Sequence, residues 1–445
     1  SGWACIRYGV GETLFRWSDS MEIEPWLATG YERTDEYTWV ITLRDGVTFS
    51  SGRPLDGQAV QACLTHLVET HDRARGDLMI ESIAAEGQTV TITTAEPRPT
   101  LLNYLSDPYG CIIDMEAGVT EEGVVVGTGP YVVTSLKSGE ELDLVKNETY
   151  WGGTPGYDRI KVLTITDGDT LTMALQSGQL DIASINADDA AVLGDQFDIY
   201  NSPQNMVQIF ALNHEFEPFG SLEVRQAINY CIDKQQIIDS VFGGYATELY
   251  TNFSPVMSLY YNDELEGAYE TDVAKAQELM EQAGYADGFS FTVKVPANYQ
   301  AHIDTAQIIA QQLQQINITM NIETIEWATW LEDVYTNASY EGTIIGLTGK
   351  LDPDDVLGRF ESTYARNFYN YSNPTYDQLI NDSVTELDEQ TRIDNYKQCQ
   401  QILTDDAVAV YICDPNLVVA SRKDLKGYTF YPVTFHDMTK LYYEG

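Results

Sequence analysis

The sequence predicts a mixed α/β fold of more than one lobe, on three observations. Strand and helix patterns alternate from Ile160 to Asn213, the rhythm of βαβ units. The same alternation returns after residue 270, beyond a break at Pro218 and Gly220. The chain has 445 residues, more than one small core organises.

In chain order, residues 10–49 read as short strands and turns. Trp39, Ile41 and Leu43 share one face of a strand, and Thr38, Val40 and Thr42 the other. Arg44-Asp45-Gly46 is a hairpin turn signal. Asp56 is placed to cap a helix whose apolar stripe is Val60, Cys63, Leu64 and Leu67. A strand pair follows over 78–94, and a short helix over 98–106. Gly127-Thr-Gly-Pro opens a hairpin, Tyr131–Val133 with Leu142–Val145, and a third strand follows near Ile160. Its glycines are read as supplying backbone angles that other residues resist. Thr170–Gln176 reads as a helix and 222–242 as one long helical run. Asp272 and Gly284 bracket the next helix. Strands 289–295 and 318–322 flank a helix over 303–316. Trp327–Tyr335 is read as helical, 342–347 as a strand, 376–405 as two helices, and 407–413 and 417–420 as strands.

Composition excludes more than it selects. Sixty-eight acidic against 25 basic residues give a net charge of −43, which disfavours nucleic acid and anionic lipid as partners. Hydrophobic residues, at 43%, suffice for packed cores. No run reaches transmembrane length. The six cysteines, Cys5, Cys63, Cys111, Cys231, Cys399 and Cys413, show no metal-like spacing and read as buried free thiols. His66 and His71 lack the helical spacing of a zinc pair, and neither a Gly-x-Ser-x-Gly elbow nor a phosphate loop occurs. DGDT at 167–170 and DPDD at 352–355 match fragments of calcium loops, but turn and cap roles explain those aspartates better. No catalytic set, cofactor or metal site is predicted, and the protein is not expected to be an enzyme.

An ordered set of motifs carries a resemblance. These are ETLFRW and IEPWLA (12–28), WVITLRDGVTFSSGRPLDGQAV (39–60), GTGPYVV with NETYWGG (127–153), and ALQSGQLDIA (174–183). LNHEFEPFGSLEVRQAINYCIDKQQIIDSVFGGYA (212–246), DPDDVLGRF with YSNPTYDQLI (352–380) and AVAVYICD (407–414) complete it. Together they resemble the extracellular solute-binding proteins of ABC importers, family 5, cluster C, whose members bind oligopeptides, dipeptides and nickel complexes. The resemblance implies a two-lobed, periplasmic-binding-protein-like clamshell of type II with an extra subdomain in the first lobe. Lobe I would hold 1–220 plus 415–445, with the subdomain at about 36–125. Lobe II would hold 221–414. It implies capture of a small peptide or metal-chelate-like solute between the lobes and delivery to a membrane permease. The expected chain is a monomer at the extracellular face of a bacterial membrane, lipid-anchored or periplasmic. No signal segment is read in this sequence. The alternatives are a peptide-sensing receptor on the same clamshell, or a hydrolase.

Both familiar ligand signatures of that family are missing. Tyr109 stands where nickel-binding members carry an arginine, and the aromatics and histidine near Asp352-Pro353 are absent. The peptide-binding members' aspartate before that proline is replaced within Gly349-Lys350-Leu351. The ligand is therefore expected to carry carboxylates, met by Arg7 and Arg75 of the first lobe and by Lys350, Arg366 and Asn367 of the second. Trp3, Tyr109, Trp327, Tyr369 and Phe435 are the expected apolar walls.

Overall fold

The Gly-Thr-Gly-Pro turn leads into the hairpin the sequence announces. Strand Tyr131–Lys137 pairs antiparallel with Glu141–Lys146, and Arg159–Leu163 adds to the far edge. The computed structural model describes residues 2–120, 123–349, 352–433 and 435–444. Gly127 and Gly129 do not adopt positive φ, so the expected reason for these glycines is corrected. A Cβ on Gly127 would lie 2.2 Å from the Val10 carbonyl oxygen, and one on Gly129 2.3 Å from that of Gly9. Close approach of two backbones demands glycine here. Gly129→Ala is expected to cost about 1–3 kcal/mol, the range for overpacking, read as a lowered urea midpoint; unchanged stability would show that the 9–11 segment yields freely.

Cα packing divides the chain into two units: Ser1–Tyr200 with Thr385–Leu387 and Val418–Gly445, and Asn201–Val384 with Asp388–Leu417. In the first, Ala28–Arg33, Thr38–Leu43, Thr89–Thr94 and Ile80–Glu86 form one antiparallel sheet in that order. Trp39, Ile41 and Leu43 are buried as their alternation predicts. The Arg44–Gly46 turn does not close a hairpin, because Thr38–Leu43 pairs with strands on other turns. Helix Gly57–Thr70 covers the sheet, its start capped by Asp56, whose Oδ1 accepts from the Ala59 N–H at 2.9 Å. Asp167 caps Gly168–Gln176 in the same way.

The second unit is built on strands Met206–Leu212, Gly342–Thr348, Ser290–Pro296 and Thr319–Ile325, adjacent in that order. The last three run parallel to one another. Met206–Leu212 pairs antiparallel with Gly342–Thr348 on one side and with Ala409–Cys413 on the other, which places residues 206–212 in the second unit. Phe210, Phe219, Phe291, Ile309 and Ile344 centre its core. The helical run from 222 is two helices, Leu222–Cys231 and Lys234–Phe242. Asp233 interrupts it because its carboxylate caps the second helix at Gln236 N–H. Asp272 caps Val273–Gln282, and Gly284 closes it with φ +81°. The strands expected at 407–413 and 417–420 are one, Ala409–Arg422. The chain leaves the first unit within strand Phe197–Pro203 and returns within Ala409–Arg422.

Candidate functional site

In an open α/β sheet the carboxyl ends of parallel strands leave backbone groups and loops facing outward, and ligands bind there. In the second unit these ends lie at Pro296, Ile325 and Thr348. Two large aromatics stand exposed just beyond them, Tyr299 at 41% and Trp327 at 37%. Their rings meet edge to face at 5.6 Å. Trp327 is stacked at 5.1 Å on buried Trp330, which Thr343 locks by accepting its indole N–H at 2.9 Å. The exposed ring is thus held in place, as suits a contact surface for a planar or apolar group.

The same end of the sheet is fixed by a polar network. Buried Asp414 accepts from Ser254 Oγ at 2.6 Å and from the Gln204 N–H at 3.2 Å. Burial pushes its pKa up to about 6, against these donors. Asn205, at φ +60°, accepts the Gly349 N–H at 2.6 Å through its carbonyl. A Cβ on Gly349 would lie 2.3 Å from Asn205 Oδ1. The residue that precedes Lys350 is therefore clipped to the segment where the chain enters this unit. His302 sits beneath, its Nε2 accepting the Gly346 N–H at 3.1 Å. Burial lowers its pKa to about 4, so the ring is neutral, and its Nδ1 lies 3.0 Å from the Gln208 side-chain amide.

Lys350 itself lies outside the described residues. Arg366, Asn367 and Tyr369 do not share the carboxyl end with Gly349. They belong to the opposite end of the strands, where the His214 N–H donates to the Tyr369 carbonyl at 2.9 Å. There Arg366 lines an open cavity of about 440 Å³ with Glu215, Tyr335 and Tyr364, its guanidinium 5.1 Å over the Tyr335 ring. The Asn367 amide donates to the Phe360, Glu361 and Tyr371 carbonyls and shapes its own turn. Tyr369 is fully buried between Phe360 and Phe368, a packing position rather than a wall open to solute.

In the first unit, Trp3 and Arg7 sit on the helix Gly2–Arg7. A Cβ on Gly2 would lie 2.0 Å from the Pro108 carbonyl, so this helix rests directly on the turn Pro108–Gly110 that carries Tyr109. Tyr109 donates to Asp77 at 3.2 Å. Arg73, not Arg75, lies over its ring at 5.3 Å and pairs with Asp107 at 2.8 Å. Burial, reinforced by Asp77 and Asp107, raises the phenol's pKa. Arg75 is spent on Asp72 of its own helix and on the carbonyls of Val68 and Glu69, at the end of the preceding helix Gly57–Thr70. The Arg7 guanidinium has no ion-pair partner among the described residues. Its carbonyl accepts the His436 N–H at 3.2 Å, beside Phe435, which packs on Trp26 and Tyr431.

Sequence reasoning missed Glu12. It is fully buried, with Thr128 Oγ1 and Trp151 Nε1 donating to one carboxylate oxygen at 2.7 and 2.8 Å and the Tyr150 hydroxyl to the other at 2.9 Å. Burial outweighs these donors and raises its pKa to about 7. Tyr150 and Trp151 are its anchors. Tyr299 was also missed, although its place a few residues after a parallel strand is a usable signal.

The family of bacterial extracellular solute-binding proteins, family 5 middle, matches residues 22–368. The glutathione-binding protein GsiB of Salmonella paratyphi A is 29% identical over 95% of this chain and 86% of its own. The nickel-binding protein NikA of Staphylococcus aureus is 26% identical over 96% and 87%. The crystal structure of a putative peptide-binding protein AppA from Clostridium difficile superposes with a TM-score of 0.89, at 23% identity, over 98% of this chain and 95% of that one.

Proposed function

The chain belongs to the bacterial extracellular solute-binding proteins of family 5, and we propose that, as the substrate-binding component of an ABC importer, it captures a small carboxylate-bearing solute. The class is a short peptide or a metal chelate. The observation that carries this reading is the braced pair of exposed rings, Trp327 and Tyr299, at the carboxyl ends of three parallel strands. Arg7, without an ion-pair partner among the described residues, and Lys350, next in sequence to the clipped Gly349, are the cations proposed for the carboxylates. Glutathione, the ligand in one relative's name, bears two carboxylates and fits that class. Capture proceeds by closure of the lobes on the solute, as in hinge-type binding proteins. Delivery is to a membrane permease. The protein works outside the membrane as a monomer, held by a lipid anchor or free in the periplasm, and turns nothing over.

The test is ligand-induced thermal stabilisation across glutathione, di- and tripeptides, nickel–histidine chelates, uncharged amides and polyamines. Carboxylate-bearing compounds raise the midpoint. A shift confined to uncharged or purely cationic compounds overturns the reading. Trp327→Ala weakens the best ligand about tenfold or more by calorimetry, the scale of one lost ring contact, while Arg366→Gln, at the other end of the sheet, leaves affinity unchanged. The reverse pattern would move the binding surface to the Arg366 cavity.

A further inference from the structure

The first unit brings Cys5 and Cys111 together, two thiols far apart in sequence. Cys5 lies on the helix Gly2–Arg7 and Cys111 just after the turn Pro108–Gly110. Both belong to one small core with Ile6, Val10, Trp26 and Tyr131. A Cβ placed on Gly11 would meet Cys111 Sγ at 2.4 Å and Cys5 Cβ at 3.8 Å, so both side chains close over the same α-carbon. The Cys5 carbonyl accepts the N–H groups of Val10 and Gly11 at 2.8 and 3.3 Å, and Ile112 N–H donates to the Glu12 carbonyl at 2.9 Å. Three stretches of backbone are thereby stitched around the pair.

We propose that Cys5 and Cys111 are a disulfide-forming pair that pins the helix bearing Trp3 and Arg7 to the turn bearing Tyr109. The hydrogen bond from Cys111 favours the Cys5 thiolate and, against burial, lowers its pKa to about 7, while the same contact raises that of Cys111. We assign Cys5 as the first nucleophile. Its thiolate attacks one sulfur of an exogenous small-molecule disulfide and expels one thiolate. Cys111 sulfur then attacks Cys5 sulfur in the mixed disulfide, yields its proton to solvent and expels the second. The protein loses two electrons and two protons, and the oxidant is reduced to two thiols. An extracellular setting favours the oxidised form. Cys63, on helix Gly57–Thr70, contacts the Cys111 carbonyl through its sulfur at 3.6 Å and is the internal control. The inference stands whether or not the ligand reading holds, since it concerns the first unit alone.

The experiment uses the reduced full chain and bis(2-hydroxyethyl) disulfide, which bears no carboxylate. The expected product has lost about 2 Da by intact mass, shows two fewer of its six thiols open to alkylation after denaturation, and yields a crosslinked peptide joining residues 5 and 111. Its midpoint rises by several degrees, since the bond closes a loop of about 100 residues in the unfolded chain. Cys5→Ser abolishes all of this and Cys63→Ser none of it. Six alkylatable thiols after oxidation, a stable adduct at Cys5 with no internal bond, or a crosslink through Cys63 would each overturn the proposal.

Discussion

Glu12→Gln is expected to remove a pH-dependent loss of stability worth about 3 kcal/mol. The carboxyl is fully buried and its pKa rises from 4.5 to about 7. An acid whose folded pKa is raised binds its proton more tightly in the native state than in the unfolded one. Between pH 4.5 and about 7 the unfolded chain has released that proton and the native chain has not, so stability falls with rising pH. The fall ends above pH 7, and a shift of about 2.5 units corresponds to about 3 kcal/mol. Glutamine suits the site sterically. Its carbonyl can accept from Thr128 and Trp151, which share one oxygen of Glu12, while its amide donates to Tyr150 once that hydroxyl reverses. Urea unfolding of both proteins from pH 4.5 to 8 supplies the check. The gap between the curves should open in favour of Glu12→Gln as pH rises, and parallel curves would show that the native carboxyl ionises normally.

Arg392→Met is expected to destabilise the second unit by about 3–5 kcal/mol, the cost of leaving one member of a buried ion pair alone. Arg392 Nη2 lies 2.5 Å from Asp352 Oδ2, with side chains 7% and 0% exposed. The guanidinium also donates to the Ser383 carbonyl and to the hydroxyls of Tyr260 and Tyr396. Asp352 at the same time caps the helix Pro353–Leu357 through the Asp354 N–H at 3.0 Å. The pair therefore joins the start of that helix to the long helix Glu389–Asp405, two residues beyond Lys350. Asp352→Asn should cost less than Arg392→Met, because asparagine still caps a helix and still accepts from the guanidinium. The double variant should recover part of the loss. Additive losses in the double-mutant cycle would mean that the two charges do not interact. Ligand affinity should fall with Arg392→Met while Trp327 stays braced by Trp330.

Glu12 and Arg392 are residues that the sequence does not single out, and the reason is physical. The cap aspartates, Asp56, Asp167 and Asp272, are legible because a cap acts over three residues of chain. The burial of Trp39, Ile41 and Leu43 is legible because a strand imposes period two. The ordered motifs from Glu12 to Asp414 together identify the family, and so the fold. The site is less legible. Trp327 is exposed beyond a parallel strand, and Arg7 has no ion-pair partner among the described residues. Tyr369 looks no different in sequence from an exposed tyrosine, yet it is fully enclosed. Arg75 and Arg73 are two residues apart, and only packing decides that Arg73 faces Tyr109 while Arg75 turns back on the end of the preceding helix, Gly57–Thr70.

What the sequence alone determined is therefore the alternation of elements, their caps, the faces they bury and the family to which they add up. These rest on interactions between neighbours in the chain, which leave a period or a spacing behind. Tertiary structure alone decided that Gly127 and Gly129 serve a close approach to residues 9 and 10, and that Thr128, Tyr150 and Trp151 converge on Glu12. It also decided that Cys5 meets Cys111, and that the loops of Gly349 and Arg366 part to opposite ends of one sheet. Those arrangements join residues tens to hundreds of positions apart, and such contacts have no linear signature.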